Sequence, residues 1–264
     1  MMEKPFREVP VLACPLAASD YATIVDYLGE IAETTPRAFL VEAANTMVVT
    51  MARHDAEFRE VIRRFDLCCP DGMPLVWAMN RNLPGADRLK DRVYGPTLML
   101  ECFDRFQSAG SPGHFLLGGK PSTLEKLVAT FAERSPGSEI LGTYSPPFGQ
   151  WPDGEDERIC AAIRSSGAKF IWVGLGCPKQ EVWMARLRDQ LPPGVYFGIG
   201  AAFAFHAGEV RQAPAFFQKR GMEWLYRLCM EPRRLFKRYL TYNSLFLFYS
   251  AKDRISGRGE ALDG

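Results

Sequence analysis

Histidine is scarce in this chain, three in 264 residues, and the seven cysteines include no C-x-x-C pair. His54, His114 and His206 show no ligand spacing with one another, so no zinc site is indicated. An odd cysteine count in a chain this long does not suit a disulfide framework either, and the thiols read as buried and reduced. Charge of one sign is not in excess. The 32 Lys and Arg balance 31 Asp and Glu for a net charge of +1, which argues against a globally steered nucleic-acid binder. No apolar run reaches the roughly 20 residues that span a bilayer, and the uncharged stretch Leu240 to Ala251 is about half that length. Met1 to Val9 carries Glu3, Lys4, Arg7 and Glu8 with no apolar h-region. The expectation is a protein made in the cytosol and kept there.

What is present is a repeated grammar: an apolar run, a Gly or Pro break, then a helical pattern. Ala38 to Val41, Phe65 to Cys69, His114 to Leu117, Ile140 to Tyr144, Phe170 to Val173 and Val195 to Gly200 read as six strands. Asn45 to His54 reads as a helix, as does the segment through Leu124, Leu127, Val128 and Phe131, with Ser122 or Thr123 as its cap. Strands alternating with helices predict an α/β fold, a Rossmann-like parallel sheet with helices on both faces. At 47% hydrophobic content, 264 residues can bury the core of one such domain with a small appendage. Ligands in these folds sit beyond the carboxyl ends of the strands.

From about Ala213 the grammar changes to aromatics and clustered arginines without strands. The predicted organisation is an α/β core over 1–212, a helical, basic and aromatic appendage over 213–252, and a disordered tail over 253–264. Between Lys219 and Arg238, seven basic residues face only Glu223 and Glu231, a local balance of +5. Arg227, Arg234 and Arg238 have the spacing of one helix face, but Pro232 interrupts it. Aromatic and leucine residues beside basic ones suit a helix in a membrane interface; the alternative is a helix pair docked with its apolar face inward.

Candidate chemistry gathers at the strand ends. Asp71, between Pro70 and Gly72, is placed to take a proton from a hydroxyl, although Pro-Asp-Gly is also a common turn. Gly118, Gly119 and Lys120 resemble a phosphate cradle at a helix N-terminus but lack the G-x-x-x-x-G-K-S/T spacing. Gly174-Leu175-Gly176 lacks the third glycine of a dinucleotide fingerprint, with Lys179 nearby instead, which excludes a dehydrogenase of the usual kind. No Asp-x-Asp pair occurs, and the acidic run Asp153 to Glu157 reads as a solvated turn. Charge on a leaving group would then fall to Lys, Arg and helix N-termini.

Together these segments resemble the WecG/TagA/CpsF glycosyltransferase family. The carrying motifs are Pro70-Asp71-Gly72, Asp91 to Gly95, Phe115 to Pro121, Gly174 to Glu181, Gly198 to Ala201, Gly221 to Leu228 and Glu231 to Arg234. The resemblance implies inverting transfer of a hexose or N-acetylhexosamine, of N-acetylmannosamine type, from a UDP-sugar to a polyprenyl-diphosphate-linked acceptor. It places the enzyme on the inner face of the cell membrane, in cell-envelope or exopolysaccharide synthesis. It implies Asp71 as base with Asn45 and Gln180 in the active site. It puts Arg227, Arg233, Arg234 and Arg238 over the donor diphosphate with Gly118, Gly119, Lys120, Gly176, Lys179 and Gly200, and Arg92 on the acceptor. No metal, cofactor or nucleic acid is implied, and homo-oligomerisation stays open. The alternative is an inactive membrane adaptor of polysaccharide assembly. Ala43, Ala204 and the Arg211-Gln212-Ala213-Pro214 segment depart from the family pattern near the expected sugar pocket.

Overall fold

A seven-residue strand with every residue buried, Ala38–Ala44, lies inside a six-stranded parallel sheet. The computed structural model describes residues 2–256, apart from the side chains of Ala215, Lys219, Arg234 and Ser256. In chain order the strands are β1 (Arg7–Val11), β2 (Cys14–Ala18), β3 (Ala38–Ala44), β4 (Leu67–Pro70), β5 (His114–Gly118), β6 (Ile140–Tyr144), β7 (Phe170–Gly174) and β8 (Gly194–Gly198). The parallel sheet runs β4-β3-β8-β7-β5-β6. β1 and β2 form a separate antiparallel hairpin beside β4.

The helices of the core are α1 (Tyr21–Thr34), α2 (Thr46–His54), α3 (Ala56–Arg63), α4 (Met73–Met79), α5 (Gly95–Arg105), α6 (Pro121–Arg134), α7 (Glu155–Ser166), α8 (Lys179–Leu187) and α9 (Gly200–His206). Strand periodicity divides them between two faces. Phe39, Val41 and Ala43 point toward α1, α5, α6 and α9, while Ala38, Leu40 and Ala44 point toward the face covered by α2, α3, α7 and α8. Glu42 shares that second face, a charged residue inside an otherwise apolar strand.

Local chemistry sets the helix ends. The Asn45 side chain accepts from the N–H groups of Met47 and Val48, and Asp55 does the same for Glu57 and Phe58. α6 starts earlier than expected. Pro121 opens it, with Lys120 at the cap position and no side-chain cap bond, because a proline's fixed φ suits the first helical turn. Ser122 and Thr123 therefore lie inside the helix, and the Thr123 hydroxyl donates to Glu209. The acidic run is also not a free turn. Glu155, Asp156 and Glu157 form the first turn of α7, where the helix dipole favours them, and Glu155 is buried against Tyr144 and Arg158.

The chain leaves the neighbouring strands β3 and β8 in opposite directions, into α2 on one face and α9 on the other. Such a switch point opens a crevice at the carboxyl edge of the sheet. Over that crevice lie α10 (Ala215–Lys219), α11 (Glu223–Met230) and α12 (Pro232–Ser256), with Pro232 opening the last. The expected tail loses its first four residues to α12, and residues 257–264 lie outside the described residues. α12 docks on α2 with Leu235 and Phe246 buried, and polar bonds add Asn243 to Thr46, Tyr249 to His54 and Asp253 to Arg53. Phe236, Leu240, Leu247, Phe248 and Ile255 face outward. The helix thus has both an inward apolar contact and an outward apolar face.

Candidate active site

A cavity of about 320 Å³ fills the switch-point crevice. Its core wall comes from the ends of β3, β4 and β8 and from the loop entering α8: Glu42, Asn45, Asp71, Gly200, Gln180 and Glu181. Its other wall belongs to the appendage, through Trp224 and Arg227 of α11 and Arg238, Tyr239 and Asn243 of α12. The sequence motifs of both regions thus meet at one place.

Asp71 continues β4 past its end, its N–H donating to the Ala44 carbonyl at 2.9 Å. The N–H of Gly95, at the start of α5, donates to Asp71 Oδ1 at 2.7 Å. A Cβ on Gly95 would crowd Ala43 at 3.0 Å, so glycine permits this approach. Burial pushes the Asp71 carboxyl up to about 6 against the pull of Arg92, the Gly95 bond and Arg227. The second oxygen is free to meet a ligand in the cavity, since only Oδ1 is engaged by Gly95. A carboxylate so tuned is basic enough to take a proton and still largely ionised at pH 7.

Arg92 is occupied by the protein itself. Its guanidinium donates to Glu223 Oε2 at 2.7 Å, to Gln218 Oε1 at 3.1 Å and to the Asp71 carbonyl at 3.2 Å, and it lies 4.0 Å from the Tyr94 ring centroid. Tyr94 donates its hydroxyl to the other Glu223 oxygen at 2.8 Å. Arg92 lines the cavity, but it clasps the appendage to the core behind Asp71, with three of its five N–H donors used in doing so. Arg227 and Arg238 differ: among the described residues the Nε of each is buried without a hydrogen-bond partner. They are the cations left to receive an anion.

The remaining candidates divide. Asn45 caps α2 from the cavity wall, and Gln180 Oε1 accepts from the N–H groups of Gly176 and Gly200 at 3.1 Å each, stitching two loops together. Gly118, Gly119 and Lys120 are not brought to the cavity. Gly118 instead lets β5 approach the backbone of Gly174, where a Cβ would meet the Gly174 carbonyl at 2.6 Å. Lys179 turns away from the cavity onto Trp151, 4.3 Å from its ring centroid, and Arg233 is exposed outside the cavity. The Arg234 side chain lies outside the described residues. Ala43 and Ala204, two of the departures, both line the cavity, whereas Arg211 and Gln212 do not.

Sequence reasoning gave no role to Glu42, Glu181, Tyr94 or Glu223. A charge within the apolar run Ala38–Ala44 was the available signal for Glu42, because a buried unpaired carboxylate is costly and seldom structural. Among the described residues, no group of three or more His, Cys, Asp or Glu is arranged to hold a metal ion, and no helix is long and apolar enough to cross a membrane.

The site is thus a Rossmann-like sheet with a carboxylate and, among the described residues, guanidiniums without hydrogen-bond partners lining one cavity at its switch point, the place where ligands bind in open α/β sheets. The family model of the WecG/TagA/CpsF glycosyl transferases matches residues 9–260, and the chain belongs to that family. It is a glycosyltransferase of cell-envelope polysaccharide biosynthesis, a family that in general joins a nucleotide-sugar donor to a lipid-linked acceptor.

Proposed function

We propose that the chain moves a hexose or N-acetylhexosamine, of N-acetylmannosamine type, from a UDP-sugar to a polyprenyl-diphosphate-linked acceptor, with inversion. The observation that carries this reading is the pairing of Asp71, raised to about 6, with the unpartnered guanidiniums of Arg227 and Arg238 on the facing wall. Asp71 takes the proton of the acceptor hydroxyl as its oxygen bonds to the anomeric carbon. The bond from that carbon to the donor diphosphate breaks on the opposite side, and one displacement inverts the centre. Arg227 and Arg238 receive the charge of the departing UDP, the task a divalent cation performs elsewhere.

Asp71→Asn keeps the shape of the side chain and removes the base, so turnover is expected to fall by about 10²–10⁴-fold with a lipid-linked acceptor. Turnover within a few-fold of the unsubstituted protein would reduce Asp71 to a turn residue. Because arginines carry the leaving-group charge in this reading, activity is expected to survive EDTA. Loss on chelation with recovery in Mg²⁺ or Mn²⁺ would show that they do not suffice.

The outward stripe of α12 supports peripheral attachment to the inner membrane leaflet. Phe236, Leu240, Leu247 and Phe248 are exposed beside Arg233 and Lys237, the mixture that binds anionic interfaces. The same appendage would then form the cavity wall where the acceptor lipid lies.

A further inference from the structure

The proton and the leaving group occupy Asp71 and the appendage arginines, leaving two acids of the cavity without a task. Glu42 of β3 and Glu181 of α8 are 1% and 0% exposed. Each lines the cavity, and each has a buried Oε2 with no hydrogen-bond partner among the described residues. The two carboxyls lie close enough to hydrogen-bond each other, and neither Oε2 has a donor from the rest of the protein among the described residues, so the pair is left short of donors on this cavity wall, where a ligand hydroxyl belongs.

Their positions are fixed by neighbours. Gln180 Oε1 is used by the N–H groups of Gly176 and Gly200, so its Nε2 must face Glu181, donating to Oε1 at 2.9 Å. Glu42 Oε2 fills the space left by Gly198, where any Cβ would collide with it. Burial raises both carboxyls, Glu181 to about 7 and Glu42 well above its ordinary value, and the Glu181 and Asp71 carboxylates push Glu42 up further. The groups facing them are Asp71 beyond β4, Cys177 on the loop before α8, and Cys14, Cys68 and Cys69 beneath, with the Arg238 charge near Cys177. A carboxyl pair that retains a proton offers both a donor and an acceptor. That suits a sugar hydroxyl, which also donates and accepts, and repels phosphate or a uronic carboxylate.

We propose that Glu42 and Glu181 are the sugar-recognition wall of the cavity, a pair of buried carboxyl groups that hydrogen-bond a ring hydroxyl of the transferred sugar. The assignment rests on the nucleotide-sugar reading above. It orients the donor with its neutral ring toward β3 and α8 and its diphosphate toward Arg227 and Arg238.

The test is calorimetric titration of the full chain with UDP, UDP-glucose, UDP-N-acetylglucosamine and UDP-N-acetylmannosamine, repeated for Glu42→Leu and Glu181→Leu. In either variant UDP is expected to bind within about twofold of the unsubstituted chain. The affinity of the accepted UDP-sugar relative to UDP is expected to fall at least about tenfold, as when a site built for a hydroxyl loses its partner. An unchanged ratio, or equal loss for UDP and UDP-sugar, overturns the proposal. Binding of Mn²⁺ alone by the unsubstituted chain but not by Glu42→Leu also overturns it, making the pair a cation site. If the unsubstituted chain binds none of the four compounds, the nucleotide-sugar reading fails first and the assignment falls with it. A measurement without variants covers the case in which neither folds. With carboxyl-¹³C glutamate, the Glu42 and Glu181 signals are expected to shift on adding the accepted UDP-sugar and not on adding UDP; equal shifts for both overturn the assignment.

Discussion

Asp71 illustrates a conflict between stability and chemistry at a single residue. Its carboxyl is raised to about 6 chiefly by burial, whereas an unfolded Asp titrates near 3.8. The sign follows from linkage: the folded protein holds this proton more tightly, so stability falls as pH rises from the unfolded value through about 6, then stays at the lower level. Asp71→Asn removes that penalty. It is expected to stabilise the fold by about 1–3 kcal/mol at pH 8, read by denaturant titration, while turnover collapses. Unchanged or lower stability would mean that the Arg92 and Arg227 charges outweigh burial. The same value predicts the rate profile. In the proposed mechanism the ionised carboxylate is the working form, so kcat/KM is expected to decline tenfold per pH unit below about 6 in the unsubstituted enzyme. A profile flat from pH 7 to pH 5 would assign the base elsewhere.

Among elements, the informative pair is the end of β4 with α11. Arg92 and Glu223 are both largely buried, and their contact is the main charged link between core and appendage. Glu223→Ala strands the Arg92 guanidinium and is expected to cost about 3–5 kcal/mol in equilibrium unfolding; a change under about 1 kcal/mol would show that the appendage holds by other contacts. This clasp was not legible in the sequence, because its partners are 131 residues apart and each looks like an ordinary surface charge. The parallel strands were legible: being buried on both faces, they read as continuous apolar runs. The β1–β2 hairpin was not. Its turn puts Leu12 at φ 56, a left-handed position usually marked by glycine, so the chain carries no turn signal there. Strand-end glycines also misled the site reading. Gly118 and Gly176 look equally like ligand loops, but Gly118 serves packing of β5 against β7, and only Gly176 reaches the cavity.

At the scale of the whole molecule, the outward face of α12 is the surface proposed to meet the membrane that holds the acceptor. Replacing Phe236, Leu240, Leu247 and Phe248 with Ser leaves the polar tethers to α2 intact. The variant is expected to keep its melting temperature but no longer pellet with phosphatidylglycerol vesicles in low salt, where the unsubstituted chain is expected to pellet. Pelleting that persists would place the attachment on another surface. Charge counts alone could not reach this result, since the +5 segment divides between guanidiniums turned into the cavity and cations turned outward. The cavity, finally, has one wall encoded up to residue 210 and the other from residue 221 onward. A ribosome therefore finishes the sheet, the base and the acid pair well before the guanidinium wall exists. On the proposed mechanism, any product that terminates early, or is clipped ahead of α11, carries the base without the guanidiniums that take the leaving group's charge, so incomplete copies are expected neither to transfer nor to hydrolyse the cell's activated sugar.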